Sequence, residues 1–218
     1  MDQNSRKKLN KIAIYGDSIS TVSHGNGGYE GLLKASLKLE EIYNFSVGSS
    51  GLSTKTPNCM VNLLQDQNTI PKDVELILIW HGTNDWYWGT DIGKMGEKDQ
   101  STYWGGIDFV ISQLRKTVSR ARIAWVTPIF RKEVPYLGTE SGEGYELKNI
   151  NGNTLLDYYE TLERASKRYG FYLIDMRRRA NIHRDNAEYY LEDNVHPNQK
   201  GYEMIHGILH RELMNIAH

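Results

Sequence analysis

The sequence predicts an α/β domain built on a mainly parallel sheet of five strands, with helices covering both faces. Three observations predict it: five short runs rich in β-branched and aliphatic residues, longer stretches between them with apolar residues three and four apart, and a length of 218 residues. Strands that alternate with helical stretches imply βαβ crossovers, which put parallel strands between two helical layers. A chain of this length can bury a sizeable core as one domain over residues 1–218, and no internal repeat, low-complexity tract or linker-like composition shift divides it.

The expected strands are residues 11–15, 42–47, 75–80, 122–127 and 171–176, each short, apolar and bounded by turn formers. After the first strand, Leu32, Leu33 and Leu37 carry helical spacing, and after the third Ile107, Val110, Ile111, Leu114 and Val118 do the same. A last helix is expected to start at Pro197, a residue suited to the first helical position, and to run through Ile205, Ile208 and Leu209. Two connections, residues 86–102 and 129–152, are longer than packing requires; loops of that length in a compact domain usually serve function.

The bulk composition narrows the partners. Lys and Arg number 26 against 27 Asp and Glu, a net charge of −1, so no overall field draws nucleic acid or an anionic membrane. A small or neutral molecule fits better. One cysteine, Cys59, excludes an intramolecular disulfide and reads as a small buried hydrophobe. Residues 1–10 are charged and lead into the first strand without an apolar signal-type stretch, and no segment approaches 18 apolar residues. A cytoplasmic protein without membrane insertion is expected.

In open α/β sheets ligands bind beyond the carboxyl ends of the strands, so the residues that follow each strand carry the most information. They are Gly16-Asp17-Ser18-Ile19-Ser20, Gly48-Ser49-Ser50-Gly51 and Gly82-Thr83-Asn84-Asp85, with Asp193-Asn194-Val195-His196-Pro197 ahead of the last helix. A serine hydroxyl needs a base to take its proton, and the base needs a third group to fix its tautomer. Asp193 and His196 are three residues apart at a helix entry, a spacing that lets the carboxylate reach one ring nitrogen while the other faces Ser18. The developing oxyanion of acyl transfer needs donors, and the Ser18 and Gly48 backbone N–H groups with the Asn84 amide suit it.

These four blocks, in this order, resemble the SGNH hydrolase superfamily, the GDSL esterases and lipases. The resemblance implies a flavodoxin-like three-layer α/β/α fold and ester hydrolysis with no metal or other cofactor. It also implies a Ser18–His196–Asp193 triad with an oxyanion hole from Ser18, Gly48 and Asn84. Ile19 stands where the family often has Leu, and Ser46 where an Asn often precedes the second block's glycine; neither removes a catalytic group. Substrates of the family include short-chain esters, acetylated sugars, lysophospholipids and longer lipids. The polar composition, mean hydropathy −0.58, favours a short acyl group on a carbohydrate or other small molecule.

Asp17, His24, His81, Trp86 and Trp88 are the candidate substrate contacts, with Tyr87, Tyr103 and Trp104 as further aromatic surface. Each has a plainer reading: His81 as a strand-end packing residue, His24 as a loop histidine, and the aromatic residues as core. Arg177-Arg178-Arg179 reads as a solvated surface before it reads as an anion site. Rival chemistries fit less well. The nucleophile segment lacks the last glycine of G-x-S-x-G, no phosphate loop occurs, and no H-E-x-x-H or similar cluster is expected to bring three metal ligands together. A lipase-type acylhydrolase, or a carbohydrate-binding domain without catalysis, are the remaining alternatives.

Overall fold

The computed structural model of the protein describes residues 9–138 and 144–217. Most of the N-terminal segment, residues 1–8, and residues 139–143 of the second long connection lie outside the described residues.

The first strand, β1 (Lys11–Gly16), leads through a three-ten turn (Ser18–Ser20) to α1 (Glu30–Leu37) and β2 (Glu41–Asn44). A short α2 (Met60–Leu63) and a three-ten turn (Gln67–Thr69) precede β3 (Leu76–Trp80), α3 (Thr83–Tyr87) and α4 (Tyr103–Thr117). Next come β4 (Arg122–Val126), a three-ten turn (Gly144–Glu146), α5 (Leu155–Tyr169) and β5 (Tyr172–Ile174). The chain closes on α6 (Met176–Ala180), α7 (Ala187–Tyr190) and α8 (Gln199–Ala217).

All strand pairings are parallel, in the order β2-β1-β3-β4-β5, the flavodoxin-like order whose switch point falls between β1 and β3. Alternation along the strands sorts the core into two layers. Ile12, Ile14, Leu76, Leu78 and Trp80 join Leu33, Ile205 and Leu209 on one face. Ala13, Tyr15, Ile77, Ile79 and Trp125 join Ile107, Val110 and Leu162 on the other. The result is the three-layer α/β/α fold.

The five expected strands are all present and differ only at their ends. β2 stops at Asn44 because that side chain turns the backbone, its Oδ1 accepting from Ser46 N at 2.9 Å. β5 stops at Ile174 because Asp175 caps α6, accepting from Arg178 N. The last helix starts later than expected: Pro197 sits in an isolated bridge with Leu191, and Asn198 Oδ1 accepts from Gly201 N. On α1, Leu33 and Leu37 are buried while Leu32 points outward, since only the i, i+4 pair faces the sheet. The first long connection begins inside α3, and a three-ten turn interrupts the second. Cys59 is buried and caps α2 through its sulfur, 3.4 Å from Asn62 N.

Candidate active site

At the switch point the carboxyl ends of β1 and β3 face the loop ahead of α8. The turn after β1 exposes the Ser18 hydroxyl, while Asp17 lies buried beneath it and caps the turn, accepting from Ile19 N at 2.9 Å. On the opposite side, residues 191–197 fold back on themselves. Leu191 bridges Pro197, Glu192 N donates to His196 O at 2.8 Å, and Asn194 takes a positive φ of 71°.

This turn brings three side chains into line. His196 Nδ1 lies 2.7 Å from Asp193 Oδ2 and His196 Nε2 lies 2.8 Å from Ser18 Oγ. An ionised carboxylate only accepts, so Nδ1 carries the proton and Nε2 is left to accept the Ser18 hydroxyl. The Asp193 carboxylate also accepts the Val195 and His196 backbone N–H groups. Burial acts to raise the Asp193 carboxyl, but the His196 backbone N–H and ring, with Val195 N–H, outweigh it and hold it below its ordinary value.

Asn84 sits in the first turn of α3, whose cap residue Gly82 has φ 138°. A side chain at Gly82 would also meet the Tyr103 hydroxyl, 2.7 Å from its Cβ position, so only glycine admits this strand-to-helix turn. The Asn84 amide is oriented from both ends: Nδ2 donates to Ser50 O at 2.9 Å, and Oδ1 accepts from Arg131 Nη1 at 3.4 Å. Beside it, the buried Asp85 accepts from Leu52 N and Ser53 N at 2.8 and 2.9 Å, which fastens the loop after β2 to α3. Burial pushes the Asp85 carboxyl up to about 6 against these hydrogen bonds.

A cleft of about 280 Å³ opens at this point, lined by Ser18, Ser49, Asn84, Trp88, Arg131 and His196, with Tyr87, Glu133, Asp193 and Val195 completing its wall. Gly48 is exposed on the same loop as Ser49, which reaches the cleft from a left-handed backbone (φ 61°). Of the other candidates, Trp88 lines the cleft and His24 stacks on His196, ring centroids 3.8 Å apart. Three candidate substrate contacts are corrected. Asp17 is fully buried as the cap of the Ser18 turn. Trp86 is also fully buried, its indole donating to Leu147 O. His81 is 2% exposed behind the site; burial, opposed by a Ser50 backbone hydrogen bond, brings its ring down to about 3. Tyr103 and Trp104 are likewise core.

Arg131, Glu133 and Ser49 are the residues that sequence reasoning missed. Arg131 is buried, lies 4.4 Å over the Tyr87 ring and pairs with Glu133. The only available signal was its place in a long connection. Against the expectation that no three ligands come together, His24, Asp193 and His196 bring ligand atoms within 4.8 Å of one another, because His24 is far from the other two in sequence and only the fold joins them. The arginine run is engaged at the surface: Arg177 stacks on Tyr145 and Tyr159, Arg178 pairs with Asp175 and Glu163, and Arg179 with Glu212. Among the described residues no helix is long and apolar enough to cross a membrane.

Among the solved structures that share the fold, three illustrate it. A Lactobacillus plantarum protein aligns with TM-score 0.82 at 22% identity, over 95% of this chain and 98% of its own. A protein described as a possible lipase from Chitinophaga pinensis aligns with TM-score 0.73 at 19% identity, over 94% and 98%. A catalytic mutant of an acetylxylan esterase from Geobacillus stearothermophilus aligns with TM-score 0.63 at 16% identity, over 94% and 96%. None of the curated proteins matches the chain. The GDSL-like lipase/acylhydrolase family matches residues 14–204, a span that includes every residue of the Ser18–His196–Asp193 line, and the chain belongs to that family of hydrolases.

Proposed function

We propose that the protein is a serine esterase that hydrolyses short acyl esters of a carbohydrate or other small polar alcohol. The observation that carries this reading is the hydrogen-bonded line from Ser18 Oγ through His196 to Asp193, at 2.8 and 2.7 Å. Ser18 attacks the ester carbonyl while His196 Nε2 takes its proton, and Asp193 stabilises the resulting imidazolium. The tetrahedral oxyanion is held by the Ser18 and Gly48 backbone N–H groups and by Asn84. The Asn84 amide nitrogen carries two hydrogens, one of which goes to Ser50 O. His196 then protonates the departing alcohol, and the same histidine activates the water that releases the acid.

The lining of the cleft supports the substrate class. Ser49, Asn84, Arg131 and Glu133 make it polar, Trp88 and Tyr87 supply aromatic faces, and its volume is small for a long acyl chain. The acetylxylan esterase among the structural neighbours agrees with this class without fixing the substrate.

The test is covalent labelling with a fluorophosphonate. Ser18 is expected to be modified stoichiometrically, and Ser18→Ala to lose both labelling and p-nitrophenyl acetate hydrolysis while its thermal unfolding midpoint stays unchanged. Folded wild-type protein that takes no label would instead be a binding domain.

A further inference from the structure

Beside the Ser18–His196–Asp193 line stands a second histidine–carboxylate pair that ester hydrolysis does not itself require. His24 Nδ1 lies 2.5 Å from Glu192 Oε1. Its ring is parallel to that of His196, with centroids 3.8 Å apart and planes 5° off parallel. Glu192 and Asp193 are adjacent in sequence, so one turn of chain holds both carboxylates and each fixes one ring of the stack. We infer that His24, held by Glu192, is a positioning residue that fixes the ring plane of His196. This rests on the reading of His196 as the general base.

The reason is geometric. Tilting the His196 ring about its Cβ–Cγ bond swings both nitrogens out of line, and within the triad only the hydrogen bonds to Asp193 and Ser18 oppose it. A parallel ring in van der Waals contact opposes that tilt. The His24 side chain is itself anchored. Glu192 orients its ring, and the turn that follows is closed by Gly27 N and Gly28 N, both donating to His24 O. Asn26 Nδ2 donates to Gln199 Oε1 at the start of α8. Gly25, at φ 50°, presses so closely on Tyr202 that a Cβ there would lie 2.3 Å from its ring, and Tyr202 OH donates in turn to Ile19 O. The His24 loop, the start of α8 and the Ser18 turn are therefore one connected support.

A positioning role and a substrate contact at His24 separate by kinetics, because lost ground-state binding raises KM whereas lost alignment lowers kcat. His24→Ala is expected to lower kcat by about tenfold with KM little changed, since sub-ångström misplacement of a reacting group has effects of this order. His24→Phe, which keeps a flat ring and discards the nitrogens, is expected to recover kcat to within about threefold of wild type. Unchanged kcat with raised KM in His24→Ala would make His24 a substrate contact and overturn the inference, as would a Phe variant as slow as the Ala variant.

A second readout does not depend on turnover. In crystals of wild type and His24→Phe, His196 should hold one orientation with Nε2 in reach of Ser18 Oγ. In His24→Ala it should occupy more than one. A single unchanged orientation in His24→Ala overturns positioning; an orientation that depends on His24 in a protein that hydrolyses no ester upholds it and overturns the esterase reading instead.

Discussion

In the proposed mechanism Asn84 is both a structural tie and an oxyanion donor. Its amide is held at both ends, by Ser50 O and by Arg131, so its orientation is set before substrate arrives, which is what gives an oxyanion donor its value. Asn84→Ala is expected to lower kcat by about 10²–10³ with a smaller change in KM; steady-state kinetics on p-nitrophenyl acetate, with the unfolding midpoint as control, checks it. Asp17 makes a different case. Its Oδ1 caps the Ser18 turn, but Oδ2 is buried with no partner among the described residues, and burial pushes the carboxyl from 3.8 up to about 7. A folded state that holds the proton more tightly than the unfolded one gains stability that is fully present below about pH 4 and is lost as pH rises through about 7. Asp17→Asn keeps an oxygen for the cap and does not titrate. Its unfolding midpoint relative to wild type should therefore rise between pH 4 and about 8, and a difference constant with pH would contradict the buried-carboxyl account.

Elements were more legible in the sequence than the directions of individual side chains. The strands could be read because most carry an unbroken apolar stretch, such as Leu76–Trp80 and residues 123–126, as buried parallel strands do, while β2 at the sheet edge is interrupted at Asn44. The Asp193–His196 spacing could be read because both residues fall in one turn. Trp86 could not be placed. It lies in a five-residue helix, too short for a periodicity to say that Trp86 faces the core while Trp88, two residues on, faces the cleft. Arg131 and Glu192 were invisible for another reason: each acts through partners far away in the chain, Asn84 and His24, and nothing local marks that pairing. Where local signals are complete, the element is predictable in energy as well as in place. The start of α5 is a reciprocal capping box, with Thr154 Oγ1 accepting from Asp157 N at 3.2 Å and Asp157 Oδ2 accepting from Thr154 N at 2.7 Å. Thr154→Ala is expected to cost about 1 kcal/mol, seen as a lower urea midpoint with unchanged slope. Since no residue of α5 lines the cleft, ester hydrolysis should be unaffected.

At the scale of the whole molecule, the sheet order puts the Ser18 turn and the Asn84 helix side by side at the one point where crossovers diverge, and α8 closes against them with His196 at its approach. This scaffold leaves a small cleft with mixed lining on a protein whose net charge is −1. Two consequences can be measured together. With no strong field to steer substrate, kcat/KM for a neutral ester should change by less than about twofold between low salt and about 0.5 M salt, where screening is nearly complete. Acyl length should matter far more. The walls offer Ser49, Asn84, Arg131 and Glu133 rather than an aliphatic groove, so each added methylene gains little burial to offset the cost of displacing polar contacts. The acetyl ester of p-nitrophenol should be turned over at least about tenfold more efficiently than the octanoyl ester, opposite to the trend expected of an apolar pocket, where each buried CH₂ contributes roughly 0.8 kcal/mol. Efficiency that rises with chain length would place the acyl group on an apolar surface outside this cleft and would favour the lipase-type reading over the short-acyl one.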